Sequence, residues 1–196
     1  MSDSIWTVTL ATLRGRVAGT EPVPAGVSAA AITAVFALGL VTKVLEIASQ
    51  RKDFAGDRQL VDTLLDDARG MSALLSRLAD DDIAAFHQYL DYRRRKQPMD
   101  AAIRRAIEVP LNVARAAASG IALCEKAAGL VHSFVAADLG AATALLAGAV
   151  RATLFSIEAN LKQLPADDAY GMEAASEARR LAETFTRLSP PFRADR

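Results

Sequence analysis

The chain reads as an all-α protein, and three features of the sequence predict it. Ala and Leu dominate a composition that is 52% hydrophobic but only 6% aromatic. Runs of β-branched residues, which favour strands, are scarce. Apolar residues recur at helical spacing through most of the chain. The expected architecture is a single domain, residues 1–196, with its core at about 4–188 and a tail at 189–196. It should be a bundle of about six to eight helices around one long buried helix. Its 196 residues suffice for one proper core.

The elements follow in order. Ser2 or Asp3 caps a first helix with Ile5, Leu10, Leu13 and Val17 on its inner face. Gly19 to Ala25 forms a loop. The uncharged stretch Pro22–Thr42, PVPAGVSAAAITAVFALGLVT, then becomes the central helix, with Ser28 as its N-cap and its end near Gln50. Apolar on every side and rich in Ala, this helix suits burial all round. Arg51, Lys52, Asp53 and Gly56 make a polar turn. The next helix starts near Asp57, with Leu60, Leu64, Met71, Leu74, Leu75 and Leu78 in register. Ala79–Asp82 interrupts it, Ile83, Phe86 and Leu90 resume the stripe, and Pro98 ends it. Asp100 caps a helix carrying Ile103, Ala106, Ile107, Leu111 and Val113, which Pro110 should kink or split before it ends near Ala128. Gly129–Ala137 leads to a helix capped by Asp138 and running through Leu145, Val150, Leu154 and Leu161 to about Leu164. After a turn at Pro165–Ala169, a last amphipathic helix covers Met172 to Leu188, followed by the tail Pro190–Arg196.

Charge and composition exclude several function classes. Lys plus Arg and Asp plus Glu each number 23, so no net basic charge serves nucleic acid. A single cysteine, Cys124, allows no internal disulfide and fits a reducing, cytoplasmic compartment. His87 and His132 are isolated, so no Cys/His metal cluster is expected. Pro22–Thr42 is long enough to raise the question of a membrane span. Its first third is broken by Pro and Gly, and no Trp/Tyr belt flanks it, so the expectation is a core helix and no membrane. Asp3, Arg14, Arg16 and Glu21 ahead of it do not resemble the lead-in of a secretory signal.

Four segments together resemble the cyclodeaminase/cyclohydrolase family of folate enzymes. Pro22–Ala31 (PVPAGVSAAA) resembles the family's Pro-x-Pro-Gly-Gly-Gly loop and Ala-rich helix. Leu78–Phe86 (LADDDIAAF) resembles a segment in which an Asp precedes Ala-Phe, with Asp82 at the matching place. Ala106–Ala114 (AIEVPLNVA) resembles an Ala-x-x-Val-Pro segment. Ala136–Leu161, from AADLGAA to EANL, resembles a Ser-Asp helix closed by Asn-Leu. The resemblance implies an all-helical homodimer with a folate site near the subunit interface. It implies a tetrahydrofolate derivative as substrate, no metal, and one of two reactions at the carbon bridging N5 and N10. These are hydrolysis of 5,10-methenyltetrahydrofolate and loss of ammonia from the 5-formimino form.

On this resemblance the catalytic candidates are Asp82 and Asp138. The methenyl group is an amidinium-like cation, which a carboxylate favours, and its hydrolysis needs a base for water and then an acid for the departing nitrogen. Asp82 lies four residues before Phe86 on one helix face, where partial desolvation would raise its pKa. Its bland alternative is a solvated acidic turn; that of Asp138 is a helix cap. The ligand-binding candidates are Pro24, Ala25, Gly26, Val27, Ser28, Ser156 and Asn160, with Arg51 and Lys52 for the carboxylates of a folate tail. Asn160 holds either the pterin edge or a neighbouring helix. Arg93–Lys96 reads as a hydrated basic loop and His87 as a surface residue. The chain departs from the family pattern at Ala25, Val27, Ala137 and Ser156. These departures open the alternative of a divergent member with lost or changed catalysis, acting as a binding or structural subunit or on a non-folate ligand.

Overall fold

The computed structural model describes residues 4–188, and the expected cap at Ser2 or Asp3 and the tail lie outside them. Among the described residues there are six α-helices and no strand. They are α1 (Leu10–Val17), α2 (Gly26–Gln50), α3 (Arg58–Arg94), α4 (Asp100–Ala128), α5 (Ser133–Leu161) and α6 (Ala169–Leu188), preceded by a 3-10 turn at Ile5–Thr7. Helix α2 is central as expected and packs against α3, α4 and α5. Ala31, Ala34, Ala37, Leu38, Val41, Val44 and Leu45 are fully buried along it. Small residues let the helices approach closely. A side chain at Gly120 of α4 would meet the methyl groups of Leu146 and Leu38 at 3.1 and 3.3 Å. A second cluster, with Ile103, Ile107, Leu111, Ile157 and Leu164, seats α6 on α4 and α5. Arg104 ties the same end, pairing with Asp168 at 2.7 Å and stacking over the Tyr170 ring at 4.8 Å.

Several boundaries differ from expectation. The first segment is a 3-10 turn and a short, largely exposed helix capped by Thr9. Its anchor lies in the 3-10 turn, where Ile5 is buried and the Trp6 indole N–H donates to the Ser76 carbonyl at 2.9 Å. Helix α2 begins two residues before Ser28, with Ala25 at the N-cap. Ala79–Asp82 does not interrupt α3, which runs unbroken from Arg58 to Arg94. The aspartates there bond outward to neighbouring elements, so the helix needs no break to accommodate them. Helix α4 likewise runs through Pro110, and Met99 rather than Asp100 precedes it. Helix α5 starts at Ser133 with the His132 side chain as its cap, so Asp138 is an internal helical residue.

Helices α2, α4 and α5 are each long and apolar enough, by length and composition, to cross a membrane. The fold buries most of the apolar stretch of α4 and over half of that in α2, but only 39% of that in α5. Exposed large apolar side chains remain on both helices, Phe36 and Ile47 on α2 and Leu145 and Phe155 on α5.

Candidate functional site

Asp82 and Ser28 form the centre of the site. Helix α2 starts on Ala25, which has no side chain to cap the helix. The first backbone N–H groups of a helix need partners, and one of them finds Asp82, on α3. Oδ2 of Asp82 accepts the Ser28 N–H at 3.0 Å and the Ser28 hydroxyl at 2.5 Å. Oδ1 of Asp82 makes no hydrogen bond among the described residues. One carboxylate oxygen thus closes the helix end and the other is uncommitted among the described residues. Burial pushes the Asp82 carboxyl above its usual range, against the two Ser28 hydrogen bonds, which pull it down. Ser28 itself is fully buried.

These residues border a cavity of about 380 Å³. Pro22, Ala25, Gly26 and Val27 line it from the α2 entry, and Asp82, Phe86 and Tyr89 from α3. Ala106 of α4 and Ser156, Asn160 and Gln163 at the end of α5 complete it. Among the described residues, Asp82 is the one charged member of this lining. Phe86 and Tyr89 stack with ring centroids 6.3 Å apart and planes 25° from parallel, giving one wall a flat aromatic surface.

A row of hydrogen bonds runs from Tyr89 across the end of α5. The Tyr89 hydroxyl donates to Gln163 Oε1 at 2.9 Å, and Gln163 Nε2 donates to Asn160 Oδ1 at 3.1 Å. Asn160 Nδ2 donates to the Ala106 carbonyl at 2.8 Å. That carbonyl is available because Pro110, four residues on, has no N–H to give it.

The structure therefore brings Asp82, Ala25, Gly26, Val27, Ser156 and Asn160 to one cavity, with Ser28 behind Asp82 and Pro24 buried beneath the loop. Sequence reasoning missed Tyr89 and Gln163 as part of this wall. The spacing of Tyr89 one helical turn after Phe86, and of Gln163 one turn after Asn160, was the available signal. Val27 departs from the family's glycine loop, but no loop forms at its position. It instead lies in the first turn of α2, and neither it nor any glycine has a positive φ.

Asp138, Arg51 and Lys52 are not brought to this cavity within the chain. Asp138 pairs with Lys43 at 2.8 Å on the exposed face. The 22 residues from Asp138 to Asn160 span about 33 Å of α5. Arg51 follows the far end of α2, paired with Asp53 at 2.6 Å, and borders a separate cleft with Phe54 and His132; Lys52 is exposed beside it.

Fold and cavity together describe a helical protein built around one carboxylate held at a helix start. The sequence profile of the formiminotransferase-cyclodeaminase family matches residues 9–180, and this chain belongs to that family. Among solved structures, the fold is similar to that of a formiminotetrahydrofolate cyclodeaminase from Thermotoga maritima. The TM-score is 0.87 over 94% of this chain and 93% of that one, at 19% identity. A search of curated proteins finds no match.

Proposed function

We propose that the cavity binds a reduced folate and that Asp82 transfers protons at the carbon bridging N5 and N10. The observation that carries this reading is the division of labour in the Asp82 carboxylate. Among the described residues, Oδ2 is committed to Ser28 and Oδ1 is uncommitted, in a cavity lining with no other charge. An ionised Asp82 would attract the amidinium-like methenyl cation, and the Phe86–Tyr89 wall suits its flat ring system. In hydrolysis, Asp82 takes a proton from water as the oxygen bonds to the methenyl carbon. It then returns a proton to N5 as the carbon–N5 bond breaks and the carbinol hydroxyl gives up its proton to solvent, leaving the 10-formyl product. In cyclodeamination, N10 bonds to the formimino carbon of the protonated substrate, and Asp82 moves the N10 proton to the amine that departs as ammonia. A carboxyl with a raised pKa is suited to both directions of transfer.

The reading extends to a homodimer. A second copy covering the α2/α5 face would bury Phe36 and Phe155, and the small residues Ala141, Ala144 and Gly148 would let two α5 helices cross closely. With the helices antiparallel about Gly148, Asp138 of the partner subunit would approach the Ser156–Asn160 end, where its own chain cannot place it.

Turnover of 5,10-methenyltetrahydrofolate, followed optically, and ammonia release from 5-formiminotetrahydrofolate test the proposal. The expected outcome is measurable activity in one assay and a loss of at least about 10²-fold in Asp82→Asn. Saturable binding of reduced folate without turnover in either assay would favour the divergent, non-catalytic member. The departures at Val27 and Ala137 motivate that reading. No binding at all would overturn the folate reading.

A further inference from the structure

We propose that α5 pairs antiparallel with α5 of a second copy in one register, and that this register seats Phe134 of each copy on the rim of the other's cavity. The pairing extends the homodimer reading, and the role of Phe134 at the cavity rests on the folate reading.

From Phe134 to Ala159, the residues of α5 taken alternately four and three apart lie on its outer face. Asp138 and Ala152 are half-buried there and the others are exposed. This spacing lets two helices run along each other as a left-handed pair. Large and small side chains follow one another along the seam so that it fits a reversed copy of itself. With the midpoint between Leu146 and Ala147, Leu145 faces Gly148 of the partner subunit. A side chain added at Gly148 would meet nothing within 4 Å in its own chain, so that notch is open. Phe134 faces the partner's Ala159, and Ala141 faces the partner's Ala152 as a close layer of two small residues. Phe155 faces the partner's Asp138, which is short and is held aside by Lys43 at 2.8 Å.

Other arrangements lose the fit. A parallel pair sets Asp138 against its own copy, and like charges repel. An antiparallel pair slid by one heptad crowds Leu145 against Phe155 and leaves the layer of Gly148 and Ala152 empty. Slid the other way, it puts Phe155 beyond the start of the partner's helix at Ser133. A lipid surface has no use for the notches at Gly148 and Ala159, whereas a second α5 fills both.

The register reaches the site at its end. Ala159 borders the cavity together with Ser156, Asn160 and Gln163. Phe134 is 87% exposed in its own chain. Seated on Ala159, the partner's Phe134 adds an aromatic ring to that rim and shields a bound ligand from water.

The test is a disulfide that only this register allows. The double variant Ala141→Cys/Ala152→Cys is oxidised with oxidised glutathione and run on a non-reducing gel. Cys124 is buried and does not compete. The two positions lie about 16 Å apart along one helix, so they cannot join within a chain. The double variant should give a covalent dimer and each single variant a single chain. No cross-link in the double variant, or an equal one in either single variant, would overturn the register. Phe134→Ala is then placed in the linked dimer, where it cannot act through dissociation. Affinity for 5-formyltetrahydrofolate should fall roughly 3- to 10-fold by calorimetry. Unchanged affinity would remove Phe134 from the cavity. A linked dimer that binds no 5-formyltetrahydrofolate even with Phe134 in place would sink the folate reading and the role of Phe134, and the pairing would stand.

Discussion

Ser28 controls how acidic Asp82 can be. Its hydroxyl and N–H both stabilise the ionised carboxylate, while burial opposes ionisation and wins. Removing the hydroxyl in Ser28→Ala leaves burial opposed by the N–H alone. The pKa of Asp82 should therefore climb further, and the acid limb of the kcat/KM profile should move to higher pH. An unmoved limb would show that Asp82 is not the group titrating there. The same shift has a consequence for stability. The folded carboxyl holds its proton at pH values where the unfolded chain, near the ordinary Asp value of about 4, has already released it. Stability should fall as pH rises from about 4 to the raised pKa and level off above it. Asp82→Asn removes this slope, because Asn does not ionise.

At the scale of the element, Asp80, Asp81 and Asp82 show how one helix serves three neighbours. Successive residues on a helix point about 100° apart. Asp80 accepts from the Ser4 hydroxyl at 2.7 Å and the Ile5 N–H at 2.8 Å, tying the N-terminal segment to α3. Asp81 meets Arg105 of α4 at 3.4 Å, and Asp82 holds the start of α2. Asp80→Ala should therefore cost about 1–2 kcal/mol, a drop of a few degrees in Tm, with ligand binding unchanged. Asp82→Asn should do the reverse, abolishing turnover with a small change in Tm. Pro110 makes a second prediction at this scale. Pro110→Ala restores an N–H to the Ala106 carbonyl, which then competes with the Asn160 amide. The helix should remain intact by circular dichroism, while affinity for 5-formyltetrahydrofolate falls roughly 3- to 10-fold. Unchanged affinity would mean that the Asn160 anchor is independent of the proline.

Among the described residues, large apolar side chains stay exposed on α2 and α5. Phe155 is 65% exposed and Phe36 51% exposed, on helices otherwise packed into the core. In the proposed homodimer a second copy covers these side chains. Light scattering at micromolar concentration should give twice the monomer mass of 20.8 kDa, and Phe155→Asp should shift the mass toward one copy. A wild-type monomer would rule out the second copy, and co-sedimentation with lipid vesicles would then identify a membrane as the occupant of the face.

Much of this organisation is legible in the chain itself. The charge-free Ala-rich run after Pro22 specifies a helix that must be buried, and α2 is that helix. Helical periodicity locates α3 to α6, and the ordered segments around Gly26, Asp82, Pro110 and Asn160 point to the family. Local rules failed where a distant residue supplies what the local sequence lacks. Ser28 looks like an N-cap and Asp80–Asp82 like a break, because sequence alone does not show that Asp82 will cap α2 from another helix. Pro110 looks like an interruption, because the donor that satisfies Ala106 lies on α5. Asp138 has the composition of a cap, but its place within α5 puts it about 33 Å along the helix from Asn160. Hydrophobic pattern is a property of each segment and is written in the chain. Hydrogen-bond partners across helices depend on how the segments pack, and only the tertiary structure decides them.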